Sequence, residues 1–454
     1  MHLMKRIQKV LIGLVTAVMV FAVGGAAAVQ AASSSAMTRT SSATTASSKT
    51  KTAQQTQGLH LDVKSAIAID EKTGQILYQQ NADQSVPVAS LSKLLTLYIV
   101  IQAIQDGKLS WNQMVKPSNN VCAVSQDTSL SNVPLEQGKQ YSVKNLYQAT
   151  LIYSANGAAM ALAQAVAGSQ KKFVNMMRQE AKKLGINDAQ IYTCNGLTNK
   201  LMKSDAYPGV SPNAENKFSA KDMALISMKL LQEYPEIVKT SRVKEMSFNT
   251  GNQQVQMKNW NWMLPGGQCS YTLLPVDGLK TGTSDAAGAC FVGTTNKDGH
   301  RIITVVLEAS HKNDSDPARF VQTQKLMSYI YHTYNYVILK KGQKTATLPV
   351  YHGKQVNVKV ANTSAEGLWL KKGTKANNVA VKVNVKKSLL NKKGNALAAP
   401  LSNHETVGTM RFTVDGQNLE TVNGTKCAVN AQTTAAVKKA NIFEIAWRWV
   451  TNLF

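Results

Sequence analysis

The apolar positions of this chain fall into blocks of different spacing. Val10 to Gly25 is almost continuously apolar and follows Lys5, Arg6 and Lys9. Residues 32–58 are Ser, Thr, Ala, Lys and Gln with almost nothing to bury, which predicts a flexible tether. Order is expected from Leu61. Ser65–Asp70 and Gln75–Gln79 read as two strands joined by a turn at Glu71–Gly74. After Pro87, the three-and-four repeat of Leu91, Leu94, Leu95, Tyr98 and Ile101 predicts a buried helix running from Ser90. Residues 112–143 read as mixed and loop-rich. Val143 to Ala167 reads as helical, with a polar break at Tyr153-Ser-Ala-Asn-Gly157. A further helix is expected over Phe173–Gly185, and another over Met223–Gln232, capped by Ser219-Ala-Lys-Asp222.

The pattern then turns to strands. Val276–Thr283, Ala289–Gly293 and Arg301–Leu307 predict three successive antiparallel strands, the last two joined at Asn296-Lys-Asp-Gly299. Phe320–Tyr334 is a closing helix. Helices inserted between strands that pair far apart in sequence make residues 59–339 an α/β (α+β) domain. From 340 to 434 short alternating strands, such as Val356–Val360, Val379–Val385 and Thr409–Val414, predict a small all-β, sandwich-like domain. Residues 435–454 read as an amphipathic helix. Ile442, Phe443, Ile445, Trp447, Trp449 and Val450 cover a wide face, while Glu444 and Arg448 keep the apolar run too short to span a bilayer.

The formal charge of +25 suggests a polyanionic neighbour, and the N-terminus indicates where it would be met. The basic start, the apolar core and the small-x-small site Val29-Gln-Ala31 read as a secretory signal peptide over 1–31. Its removal takes three positive charges and leaves +22. An exported protein meets anionic lipid and acidic wall polymers; no nucleic-acid motif is present and no nucleic acid is expected as partner. The five cysteines match no zinc or redox spacing, and one disulfide or buried free thiols are both compatible with the sequence. The seven histidines lack metal-ligand spacing, so no metal or cofactor is expected.

One stretch carries candidate chemistry. Ser90 and Lys93 lie three apart at the start of the predicted helix and so share a face. A serine hydroxyl needs a neighbouring base, and a lysine serves if burial and nearby positive charge lower its pKa. Ser90's own amide N–H, at a helix start, would stabilise charge on a substrate oxygen. The same Ser-x-x-Lys spacing recurs at Ser48, Ser169 and Ser241, so the pair means little alone. It gains meaning from Ser154-x-Asn156 in the helix break and Lys280-Thr281-Gly282 in the first late strand.

With these motifs in order, the chain resembles the penicillin-binding serine hydrolases, most closely the low-molecular-mass D-alanyl-D-alanine carboxypeptidases. The resemblance covers Leu61 to Tyr334 and includes Asp70–Gly74, Pro87–Lys93, Asn195-Gly-Leu197 and Val276–Gly282. It implies a penicillin-binding/β-lactamase-like domain, an antiparallel sheet with a helical subdomain. It also implies roles. Ser90 attacks the carbonyl between two terminal D-alanines of a peptidoglycan stem peptide. Lys93 takes the Ser90 proton, and Ser154, hydrogen-bonded near that amine, relays it to the leaving D-alanine. Asn156 holds the substrate amide and Lys93. Lys280 and Thr281 bind the substrate carboxylate beside Gly282. The amides of Ser90 and Thr283 form the oxyanion hole. β-Lactam antibiotics are the implied inhibitors, and the implied address is the outer face of the cell membrane, reached through the C-terminal helix. The Ser154-to-Lys280 interval is long, with the surplus around 200–216 and 263–274, segments that would edge the cleft. Two alternatives share parts of the pattern. A β-lactamase or transpeptidase has the same fold, although the Glu-x-x-Leu-Asn loop of class A β-lactamases is absent. A non-catalytic wall-binding protein could keep the fold, although it would be free to lose these residues.

Overall fold

The computed structural model describes residues 58–451 except Lys426. The expected signal peptide, nearly all of the tether and residues 452–454 lie outside the described residues. A five-stranded antiparallel sheet organises the first part, in the order Ile76–Gln80, Val63–Asp70, His300–Ala309, Gly288–Lys297, Val276–Ser284. Chain ends far apart in sequence meet here: Ile67 pairs with Val305. The turn after Lys297 has Asp298 at φ 53° and Gly299 at φ 80°, as a tight hairpin requires.

Alternation splits the sheet between two cores. Ile67, Ile69, Ile303 and Val305 face the helices on one side. Ala66, Ala68, Ile302 and Phe291 face Phe320, Met327 and Ile330 of the helix Ala318–Thr333 on the other. The expected helix after Pro87 forms, with one refinement. Ala89–Ser92 is a 3-10 turn, and the α-helix proper is Lys93–Gln105. Every residue from Lys93 to Ile101 is buried, so these turns of the helix have no solvent face, as their near-continuous apolar sequence demands. The polar break also forms: one helix ends at Ile152 and the next begins at Asn156, with Ser154 at φ 62° between them. The capping box of Ser219 and Asp222 starts the helix Ala220–Glu233.

Some elements were not foreseen. A short helix, Asn119–Ser125, lies within the stretch read as loop-rich, started by the Ser118 side chain accepting from Val121 N. A hairpin, Glu245–Asn249 with Gln254–Lys258, precedes the Trp260 segment. The cysteines are unpaired; four are buried and Cys269 is half-buried.

The last part is all-β around its own core of Val358, Val360, Leu370, Met410 and Phe412. Its seven-stranded sheet runs Val379–Val385, Thr406–Val414, Ala428–Thr433, Asn357–Asn362, Thr345–Tyr351, Leu397–Ala398, with Gln417–Asn418 beside Thr406–Val414. Tyr334–Leu339 pairs with Glu366–Lys371. The two parts are joined by the Asp70–Gln75 turn. Trp369 donates its indole N–H to Asp70 Oδ1 at 2.9 Å, and the Gln75 side chain bonds both backbone groups of Trp369. The C-terminal helix starts later than expected, at Ile442, and is described over Ile442–Thr451. The preceding segment is extended because Val437 exchanges backbone hydrogen bonds with Leu401, so Lys438 lies outside the helix.

Candidate active site

Three elements converge on one cleft of about 140 Å³: the 3-10 turn with Ser90, the helix break with Ser154, and the strand carrying Thr281, Gly282 and Thr283. Ser131, Trp260, Trp262, His311, Asp314, Asp316, Arg319 and Phe320 complete its walls. Close backbone approach holds the strand against the turn. A Cβ on Gly282 would lie 2.5 Å from Val88 O, so only glycine lets the strand come this near.

Lys93 is fully buried below Ser90. Its Nζ lies 2.7 Å from Ser90 Oγ, 2.8 Å from Asn156 Oδ1 and 2.7 Å from the Asn195 carbonyl oxygen. Nζ donates to all three oxygens; once the amine has lost a proton, two N–H groups suffice for Asn156 and Asn195, and the lone pair is free to accept from the Ser90 O–H. Burial, aided by the Lys280 charge, holds the Lys93 ammonium well below the ordinary lysine range. The site therefore brings a hydroxyl into contact with a buried amine whose charged form is disfavoured, with no carboxylate among the described residues paired to that amine.

Asn156 is itself held. Its backbone N–H and its Nδ2 both donate to the Ser131 carbonyl, at 2.9 and 3.0 Å. This fixes the amide so that Oδ1 faces Lys93. Asn132 Oδ1 accepts from Gly157 N at 2.9 Å and steadies the same helix start.

The structure departs from the sequence expectations at two residues. The expected contact of Ser154 with the Lys93 amine is not among the amine's three close partners; Ser154 lines the cleft beside Ser90 instead. Lys280 is buried with Nζ donating to Thr281 O at 2.9 Å, and the cation that lines the cleft is Arg319. Arg319 donates to Gly282 O at 2.9 Å and to Cys290 O, and so braces the strand as well. Burial, with the Arg319 charge beside it, lowers Lys280 to about 7.

The sequence reading counts Asn195-Gly-Leu197 in the resemblance but gives Asn195 and Gly196 no role. Asn195 acts through a backbone carbonyl, which has no side-chain signature. Gly196, at φ +82°, would place a Cβ 1.9 Å from Ala89 O, so the Asn-Gly step is what lets that carbonyl reach Lys93. Gly196→Ala is expected to destabilise the protein by about 3 kcal/mol and to slow penicillin acylation, because the nucleophile turn must move. Gly185→Ala, at φ +88° but with open space around it, is the control, and thermal melts with acylation rates read the difference.

The sequence matches the D-alanyl-D-alanine carboxypeptidase family of S11 peptidases over residues 49–311 and the penicillin-binding protein 5 C-terminal domain over 335–439. It is 31% identical over 373 residues to the D-alanyl-D-alanine carboxypeptidase DacC of Escherichia coli (strain K12), covering 81% of this chain and 84% of that protein. Against the D-alanyl-D-alanine carboxypeptidase DacF of Bacillus subtilis (strain 168) the identity is 27%, covering 81% and 85%. Among solved structures, the peptidoglycan synthesis regulatory factor PBP3 of Streptococcus pneumoniae superposes with a TM-score of 0.67 at 32% identity, covering 84% of this chain and 100% of that one. With the fold, the domain order and the family match in agreement, the chain belongs to the D-alanyl-D-alanine carboxypeptidase family of serine peptidases.

Proposed function

We propose that this protein removes the terminal D-alanine from peptidoglycan stem peptides through an acyl-enzyme on Ser90. The observation that carries the reading is the fully buried Lys93 amine, its charged form disfavoured by burial, held 2.7 Å from the Ser90 hydroxyl oxygen. Lys93 takes the Ser90 proton as Oγ attacks the carbonyl between the two D-alanines. The backbone N–H groups of Ser90 and Thr283, two residues that line the cleft, receive the developing oxyanion. Collapse breaks the C–N bond. The proton held by Lys93 passes to the departing amine of D-alanine; Ser154, on the cleft wall beside Ser90, relays it once its hydroxyl turns to bridge the two amines. Arg319 in the wall and Lys280 behind it supply positive charge for the terminal carboxylate, with the Thr281 hydroxyl beside them. Asn156 orients the substrate amide and Lys93 together. Water then enters, loses a proton to the same base and releases the shortened stem. A β-lactam presents the same amide in a ring. Its leaving amine stays tethered after acylation, so the adduct persists, which is why penicillin serves as a probe. The test is D-alanine release from a synthetic peptide ending in D-Ala-D-Ala, against one ending in L-Ala-L-Ala. Release from the first alone supports the reading, and release from neither overturns it.

The two lysines set the pH dependence. Activity needs Lys93 neutral, so kcat/KM rises as pH climbs through its lowered pKa. Carboxylate binding needs Lys280 charged, so kcat/KM falls as pH passes about 7 in the free enzyme. A bell-shaped profile is expected, and Lys280→Arg, which stays charged, should lose the falling limb.

A second feature favours attachment to a lipid surface. Ile442, Phe443, Trp447, Trp449 and Val450 are all exposed. The polar side of the same helix is fastened inward: Arg448 donates to the carbonyls of Gly353 and Lys354, and Glu444 lies 3.8 Å from Lys354. Thus Glu444 and Arg448 dock the helix and leave its tryptophans outward. No helix among the described residues is long and apolar enough to cross a membrane. The helix is read as lying in the interface, and Trp447→Ser with Trp449→Ser should weaken vesicle binding about tenfold or more, measured by co-sedimentation. D-alanine release from a soluble peptide should not change.

A further inference from the structure

The positive charge of the chain is unevenly placed. Residues 340–451 carry 18 Lys and Arg against 5 Asp and Glu, a net +13. Residues 58–339 carry 27 against 21, a net +6 over more than twice the length. Within the β domain the run 367–404 contains no acidic residue and eight lysines: 371, 372, 375, 382, 386, 387, 392 and 393. All eight are exposed.

The fold arranges this run as a strip. Val379–Val385 is the edge strand of the seven-stranded sheet. Its outward positions are Ala380, Lys382 and Asn384, while Val379, Val381, Val383 and Val385 face inward. Three of the lysines precede this strand and four follow it. Seven residues at about 3.3 Å each give a strip longer than about 20 Å. Lys382 stands directly across from Arg411 on the neighbouring strand. Like charges facing each other across a sheet repel, and the run itself offers no carboxylate to neutralise them. An edge strand uses one or two lysines to prevent edge-to-edge pairing. That purpose does not account for four more beyond the strand, in the 3-10 turn Lys387–Leu389 and the turn around Gly394.

We infer that this strip binds a linear polyanion with phosphate groups along its backbone, laid along the β domain. Ammonium groups on flexible stems suit phosphates met in no fixed geometry. Charges spread along a line suit a polymer that meets many of them at once, where a small anion would need them to converge. Such binding would hold the protein in the wall layer and leave the cleft free. The inference does not depend on the catalytic reading, because binding is measured without turnover.

The test uses the full mature chain and fluorescent inorganic polyphosphate, followed by anisotropy across a salt series. One variant carries Lys382→Gln, Lys386→Gln, Lys387→Gln, Lys392→Gln and Lys393→Gln. The control removes five exposed lysines of the catalytic part by Lys116→Gln, Lys144→Gln, Lys171→Gln, Lys172→Gln and Lys200→Gln. Equal melting temperatures establish that both fold. The expected result is an affinity loss of about tenfold or more, with a shallower salt dependence, for the first variant alone. Equal losses in the two variants, or none in the first, would overturn the inference. So would a loss confined to phosphatidylglycerol vesicles with polyphosphate binding intact, which would assign the strip to the membrane.

Discussion

In the Lys93→Ala enzyme, acylation by penicillin at neutral pH is expected to fall by about a thousandfold or more, because the hydroxyl loses the base that takes its proton. The structure places the Lys93 nitrogen 2.7 Å from Ser90 Oγ. Its loss leaves Asn156 Oδ1 and the Asn195 carbonyl without their donor, so part of the effect is local rearrangement. Stability separates the two. Burial of a lysine whose folded pKa is depressed opposes folding, since the unfolded chain binds a proton that the native one does not. That deficit is full below the folded pKa and is relieved as pH rises through it toward the ordinary lysine value. The wild type should therefore gain stability with pH across this window, and Lys93→Ala should gain less. Thermal melts across pH, run beside acylation rates, check both statements.

The Ser90→Ala enzyme is expected to release D-alanine at a rate lower by about 10⁴-fold or more, with no covalent penicillin adduct. The cavity it creates is one oxygen in size, and the 3-10 turn carrying it is held by Leu91 N donating to Val88 O at 3.1 Å, so the fold should be unaffected. Lys93 keeps its bonds to Asn156 and Asn195. Substrate binding, read as the dissociation constant for a D-Ala-D-Ala peptide, should stay within about threefold of wild type, because the carboxylate groups are intact. A split between lost turnover and kept binding distinguishes a nucleophile from a structural residue.

The parts of this site that were legible in the sequence are those in which side chains of fixed type repeat at fixed local spacing. Ser90 and Lys93 fall one helical turn apart, and Ser154 and Asn156 sit in a polar break that helix interiors disfavour. Lys280-Thr281-Gly282 lies on the strand Val276–Ser284, which alternation and the following hairpin mark out. The illegible parts act through backbone or through distance. The Asn195 carbonyl carries no residue-type signal, and Gly196 matters through a close approach seen only when the chain has folded. Arg319 begins a helix far from the other motifs and enters the cleft because that helix packs across the sheet. Lys280 looked like a surface charge aimed at substrate, but burial places it behind the wall. The fold was legible on the same terms. The strands of the central sheet follow from alternation, whereas the helix Asn119–Ser125 is too short to show a period. The segment before the C-terminal helix stays extended because Leu401, distant in sequence, pairs with Val437.

The most direct measurement is peptide mapping by mass spectrometry of the purified mature protein after exposure to penicillin. The structure predicts one penicilloyl group per chain, on the peptide containing Ser90, slowed in step with loss of the neutral form of Lys93 as pH falls. An adduct on another residue, or no adduct in a protein that remains folded, would contradict an acyl-enzyme built on Ser90 and Lys93.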